Sequence, residues 1–190
     1  MKTFNDKNRG FTMIETLIAV AILMIAIAGP LTIAQKGLMS AIYAHDQITA
    51  SYLTQDAMEF IKNIRDNNLT ANPNRHWLNK LSTCSESTKC KIDTTTGDPN
   101  AGTAGISSCN PSSILYIGSL GYSHDSSGGT ETKFSRCFYL VPSQDNVNSA
   151  DRTPDEVKIV VEVSWDRGSQ KNVITKNAVI YENEIFNIVK

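Results

Sequence analysis

The sequence predicts an α+β chain. One long N-terminal helix, half transmembrane and half amphipathic, is expected to pack on a small C-terminal antiparallel β-sheet. Three observations carry that expectation. From Thr16 to Ala34 there are 19 consecutive uncharged residues, and about 20 predominantly apolar residues suffice to cross a bilayer as a helix. Beyond Gln35, apolar residues recur near the 3.6-residue period of an amphipathic helix. The last third of the chain alternates apolar and polar residues as half-buried strands do.

The N-terminal element begins with a short basic leader. Lys2, Lys7 and Arg9 oppose only Asp6, whereas Gln35 to Ala50 carries just Lys36 and Asp46. Positive charge is retained on the cytoplasmic side, which puts the leader inside and everything beyond Ala34 outside. Gly10-Phe11 stands at the junction of leader and span. Glu15 lies about one turn inside the span, where an unpaired charge costs about 2.5–3.5 kcal/mol. No basic residue lies between Phe11 and Ala34, so a partner must come from elsewhere. A cut between Gly10 and Phe11 would create one, the new amine of Phe11 in a neighbouring copy.

Gly10, Phe11, Glu15 and the apolar run behind them resemble the N-terminus of type IV prepilins and the related secretion pseudopilins. The chain looks most like a minor pilin or minor pseudopilin. The resemblance implies removal of the leader by prepilin peptidase and N-methylation of Phe11. It further implies filament assembly through Glu15, with other pilin subunits and an inner-membrane assembly platform as partners. The resulting organisation is a cleaved cytoplasmic leader (1–10), a transmembrane and filament-core helix (11–34), an amphipathic continuation (35–68) and an extracytoplasmic globular domain (69–190). The expected function is that of a non-enzymatic minor subunit of a type IV pilus or pilus-like filament. Related readings are a pseudopilin of a type II secretion or DNA-uptake system. From a different class comes a single-span anchored binding protein that recognises its target with a disulfide-stapled loop. A secretory signal peptide is the competing account of the N-terminus, because Ala26-Ile27-Ala28 has the small-residue pattern of a cleavage site. Against it, Glu15 interrupts the apolar core and Pro30 crowds that cut.

Gly29-Pro30 is the expected break in the helix, since proline removes one i→i−4 hydrogen bond and its ring crowds the preceding turn. Past the span, Leu38, Ala41, Ile42, His45, Ile48, Tyr52, Ala57, Phe60, Ile61 and Ile64 form the expected buried face. Asn67-Asn68 supplies a stop, because Asn tolerates the left-handed conformation at a helix end. Leu69 to Leu81, with Pro73, Trp77 and Leu78, reads as a short helix or a packed loop. Asp93 to Ser113 is rich in Thr, Gly, Ser and Asn and bracketed by cysteines, which predicts an ordered, stapled loop.

Strands follow at Ile114–Ile117, Phe134–Val141 and Val157–Trp165. Asp166-Arg167-Gly168-Ser169 supplies turn chemistry before a returning strand from Val173 to Tyr181. The parity of this last strand is ambiguous. Ile174, Ala178 and Ile180 share one face, while Val173, Val179 and Tyr181 share the other, so a bulge or burial of both faces is expected.

Cys84, Cys90, Cys109 and Cys137 all fall in the part expected outside the cytoplasm, where disulfides form and persist. Four cysteines allow three connectivities. Cys84–Cys90 with Cys109–Cys137 is favoured, because the first closes a short local loop and the second ties the long loop to a strand. Zinc is disfavoured by the lack of a C-x-x-C pair or clustered histidines, and no metal or cofactor is expected. The acidic segment from Asp145 to Asp155 does not match an EF-hand loop and reads as a solvated loop. Gly128-Gly129 lacks the remainder of a phosphate loop, and His45, His76 and His124 are isolated. The formal net charge of −1 over 190 residues gives no basic patch for nucleic acid. Asn68-Leu69-Thr70 matches the N-glycosylation acceptor pattern, a weak three-residue signal.

Overall fold

The structure, a computed structural model, describes residues 10–71, 76–95, 105–110, 113–142 and 155–182. Its elements are one helix, α1 (Met13–Ala71), and seven strands: β1 (Cys90–Lys91), β2 (Ser107–Ser108), β3 (Ile114–Gly118), β4 (Gly121–Ser123), β5 (Thr130–Pro142), β6 (Glu156–Arg167) and β7 (Gln170–Tyr181). The chain divides into two compact units, up to Asp46 and from Gln47 onward. The first contains only the N-terminal part of α1 among its described elements. The second contains the rest of α1 and the whole sheet, and is the α+β domain the sequence predicts.

In the second unit β5 is the central strand. β6 pairs along one edge from Phe134↔Trp165 to Pro142↔Val157, and β7 pairs along β6 from Arg167↔Gln170 to Glu156↔Tyr181. The other edge of β5 is shared: β3 takes its first half and β1 meets it at Phe138. β4 and β2 extend those two branches outward, and every ladder is antiparallel. The β6–β7 connection is a two-residue turn, Gly168-Ser169, in which Gly168 has φ +62°. A positive φ at the first central position is the demand of a type II′ hairpin turn. This is why glycine stands there.

One face of the sheet carries Phe138 and Leu140 from β5, Val157, Ile159 and Val161 from β6, and Ile180 from β7. These residues pack with Ala57, Met58, Ile61 and Ile64 of α1 and with side chains of the segment between α1 and β3, among them Trp77, Leu81 and Ile92. The buried positions of the helix are Asp46, Ala50, Leu53, Thr54, Ala57, Met58, Ile61, Ile64, Arg65 and Asn68, which recur at intervals of three and four along one face. That face is rotated from the expected one. Ile48 and Tyr52 are exposed, as are Leu38 and Ile42 further upstream. Polar Thr54, Arg65 and Asn68 lie within the buried stripe, so hydropathy alone tracks the wrong face in the earlier turns.

Three further expectations need correction. α1 does not stop at Asn67-Asn68 but continues to Ala71. Asn68 is instead buried, and its Nδ2 donates to the carbonyls of Trp77 (3.0 Å) and Asn79 (2.9 Å). It thereby pins the turns of residues 77–83, whose Trp77, Leu78 and Leu81 are buried; of the two readings for that segment, the packed loop is the observed one. β7 runs in continuous register with β6 and has no bulge. Val173 and Val179 are simply exposed, so the ambiguous parity reflects two apolar side chains on the open face. Finally, the helix is unbroken through Gly29-Pro30, with Thr32 Oγ1 donating to the carbonyl of Ala28 at 2.8 Å. The remainder of the expected stapled loop and the acidic segment up to Pro154 lie outside the described residues.

A charged side chain crosses the core. Arg136 on β5 is fully enclosed. Its Nη1 donates to Asp56 Oδ2 (2.6 Å) and the Leu53 carbonyl (3.2 Å), and its Nη2 to the Ile92 carbonyl (3.1 Å) and Thr94 Oγ1 (3.4 Å). Burial pushes this guanidinium below its usual range, and Asp56 opposes that shift. Nearby, the backbone N–H of His124 donates to Asp93 Oδ2 at 3.3 Å, and its Nδ1 lies 3.3 Å from the Ile114 carbonyl. Burial, reinforced by the Arg136 charge, lowers the His124 pKa from 6.5 to about 4.

A pH dependence follows from that shift. Where the folded pKa is the lower one, acidification protonates the unfolded chain first and drains stability from the fold. The contribution of His124 is complete above about pH 6.5 and is lost progressively down to about pH 4. The melting temperature of the full chain in detergent should therefore fall between about pH 7 and 5, and His124→Gln should flatten that slope. An identical slope in the variant would assign the acid sensitivity to other groups.

Candidate functional site: the start of the helix

At the N-terminus, local hydrogen bonding sets where α1 begins. Thr12 precedes the first helical residue, Met13. Its carbonyl accepts the amides of Glu15 (3.1 Å) and Thr16 (3.2 Å), and its Oγ1 accepts the Glu15 amide at 3.4 Å. Thr12 is thus an N-cap, satisfying one of the backbone donors a helix start leaves over. Thr12-Met13-Ile14-Glu15 also has the S/T-x-x-E spacing of a capping box. Glu15 consequently sits in the first turn, where the helix dipole favours a negative charge by about 0.3–1 kcal/mol. This capping role was missed in the sequence, although the spacing was there to be seen.

The dipole does not settle the energetics of Glu15. It supplies less than the roughly 2.5–3.5 kcal/mol that a carboxylate costs in a bilayer interior. Among the described residues no cation forms an ion pair with it. Every residue from Gly10 to Ile42 is exposed, including Phe11 at 77%, Met13 at 85% and Leu17 at 66%. A helix that is apolar all round belongs in a core or a membrane, and this one is long enough for a membrane. Nothing within its own unit covers it.

Over residues 5–29 the chain matches the family model described as the prokaryotic N-terminal methylation motif. The start of α1 is a prepilin-type methylation motif. Together with the long apolar helix and the C-terminal sheet, it fits a protein of the type IV pilin and pseudopilin family. Neither the curated proteins nor the solved structures gave a match to this chain. The methylation motif covers Gly10, Phe11, Glu15 and Gly29, with Pro30 immediately beyond it. It implies a prepilin peptidase and other pilin subunits as partners, and with the apolar helix it indicates a single-pass, membrane-anchored protein.

The four cysteines lie in the second unit, away from the motif in sequence. Both favoured disulfides are present, Cys84–Cys90 and Cys109–Cys137. No cluster of three or more metal-ligating side chains occurs among the described residues. Arg136 is the residue the sequence reading overlooked. Its signal was parity: it occupies an inward position of β5 between Phe134 and Phe138.

Proposed function

We propose that the protein is a non-enzymatic minor subunit of a type IV pilus or pilus-like filament. In this reading prepilin peptidase removes residues 1–10 and Phe11 is N-methylated. The apolar half of α1 is held in the cytoplasmic membrane, with the N-terminus inside, until an assembly platform passes the subunit into a filament. The observation that carries the reading is the uncovered apolar stretch of α1 up to Ala34, whose single carboxylate, Glu15, sits one turn past Gly10-Phe11. Such a helix is tolerated in lipid. It becomes covered when copies stack side by side, and the same stacking brings a Phe11 amine to each Glu15.

Intact-mass measurement of protein extracted from membranes tests the processing step. The expected mass corresponds to residues 11–190 plus one methyl group, with the methyl mapped to the Phe11 amine. A mature chain beginning at Gly29 would replace this account with a signal peptide cut after Ala28. Retention of residues 1–10 would remove the basis for assembly.

A further inference from the structure

The two disulfides occupy opposite environments. Cys84 is 1% and Cys90 3% exposed, and both belong to the core with Trp77, Leu81 and Phe138. Cys109 and Cys137 are only half-buried. They line an open cavity of about 320 Å³ together with Ser135, Glu162, Ser164, Lys89 and Lys171. In the β5–β6 ladder Glu162 lies directly opposite Cys137. The Lys89 ammonium sits 2.6 Å from the Glu162 carboxylate, and Lys171 adds a second cation at the same opening. Lys89 and Glu162 offset one another, so Lys171 is the surplus cation at the opening; a nearby cation favours the thiolate form of cysteine, and a thiol that leaves readily as thiolate accelerates cleavage of its disulfide.

We propose that Cys109–Cys137 is a thiol–disulfide exchange site that admits an external dithiol through this cavity, while Cys84–Cys90 stays closed in the folded protein. The attacking thiolate forms a bond to one of the two sulfurs as the Cys109–Cys137 bond breaks, and the other sulfur leaves as a thiolate. The second thiol of the reagent then attacks the mixed disulfide. The reagent is oxidised to its own disulfide, and the two electrons reside on the Cys109 and Cys137 thiols, which take up two protons. The mechanical result is local. β2 pairs with β1 through only two residues, and the Cys109 amide donates to the Lys89 carbonyl at 2.8 Å. Opening the bridge therefore releases the covalent tie between the end of β2 and β5, while the core around Cys84–Cys90 remains intact.

The test is differential alkylation of the full chain in detergent during titration with dithiothreitol, read by peptide mass spectrometry. Cys109 and Cys137 should become labelled at least tenfold faster than Cys84 and Cys90, and denaturant should abolish the difference. Labelling of all four at similar rates, or of Cys84 and Cys90 first, overturns the proposal. In the Cys109→Ser/Cys137→Ser variant, Cys84–Cys90 should stay as slow to open as in the wild type. Rapid opening there would show that the second bridge, rather than burial, protects the first, and would also overturn it.

Discussion

Glu15→Gln should leave processing intact and lower the ratio of filament-bound to membrane protein by about two orders of magnitude. The magnitude comes from the cost of an uncompensated charge in apolar surroundings, about 2.5–3.5 kcal/mol. In the variant a neighbouring Phe11 amine enters the stack with no carboxylate to meet it. The Gln variant also keeps the shape of the residue and the capping-box spacing, since Gln serves at that position as Glu does. Two companions separate charge from capping. Thr12→Ala removes the cap, whose carbonyl bonds remain but whose Oγ1 bond to the Glu15 amide is lost; its cost is about 1 kcal/mol, and it should assemble nearly normally. Glu15→Ala removes both contributions and should behave like Glu15→Gln. The readout is sheared-filament and membrane fractions, quantified alongside wild type. If Thr12→Ala were as defective as Glu15→Gln, helix capping rather than the charge pair would be the operative property. Normal incorporation of Glu15→Gln would show the pair to be dispensable, as it would be for a subunit at a filament tip.

The largest stability effect is expected at Arg136. Truncation to Ala opens a void and takes the guanidinium donor away from the carbonyls of Leu53 and Ile92. Opening a cavity of that size and leaving a buried acceptor unpaired costs about 3–5 kcal/mol together. For a chain of this size that corresponds to a fall in melting temperature of about 6–20 °C. Arg136→Met is the informative comparison, because it refills much of the space without supplying donors. Its cost should be intermediate, since an apolar replacement avoids burying a guanidinium and the Leu53 carbonyl keeps its bond within the helix, but the Ile92 carbonyl loses its donor. Asp56 is half exposed, so on losing Arg136 it rehydrates and contributes little to the penalty. Near-ultraviolet circular dichroism, reporting on buried Trp77 and Trp165, would follow the transition in detergent. A change of less than about 2 °C for Arg136→Ala would mean that the network adds nothing net.

The order of elements was legible because each carries a strong periodic or compositional signal. The unbroken run behind Gly10-Phe11 announces the membrane half of α1, and the alternation from Val157 to Trp165 announces β6. The cysteine pairing followed from loop closure. What escaped was written in polar residues. β1 and β2 are two residues each, too short for any period, and exist because β1 meets β5 and β2 meets β1. β4 is three residues closing a tight turn on β3. The helix face was misplaced in its earlier turns, where Ala50, Leu53 and Thr54 are buried and Ile48 and Tyr52 are exposed, and the burial of Arg65 and Asn68 depends on acceptors contributed by other parts of the chain. Arg65 Nη1, for instance, donates to the Tyr181 carbonyl 116 positions away. At the functional end the motif residues were identified directly, but the capping of Glu15 by Thr12 was not. A carboxylate that is costly in lipid drew the attention, and its local backbone role went unread.

The carboxamide of Asn68 has a consequence for producing this protein outside its own host. Asn68-Leu69-Thr70 is an acceptor sequence for N-linked glycan, whose attachment point is the side-chain nitrogen. In the fold that nitrogen already spends its two hydrogens on Trp77 and Asn79. A sugar could be installed only on the unfolded chain as it enters a eukaryotic secretory pathway. Once there it would replace a hydrogen the fold needs and wedge a bulky polar group between the end of α1 and the turns that Trp77 and Leu81 bury. Material from a glycosylating host would then be trapped short of its native state by a modification that leaves the sequence unchanged. Asn68→Asp would avoid the sugar but also lose both donated hydrogen bonds, whereas Thr70→Ala removes the acceptor signal from an exposed position and leaves the tie intact.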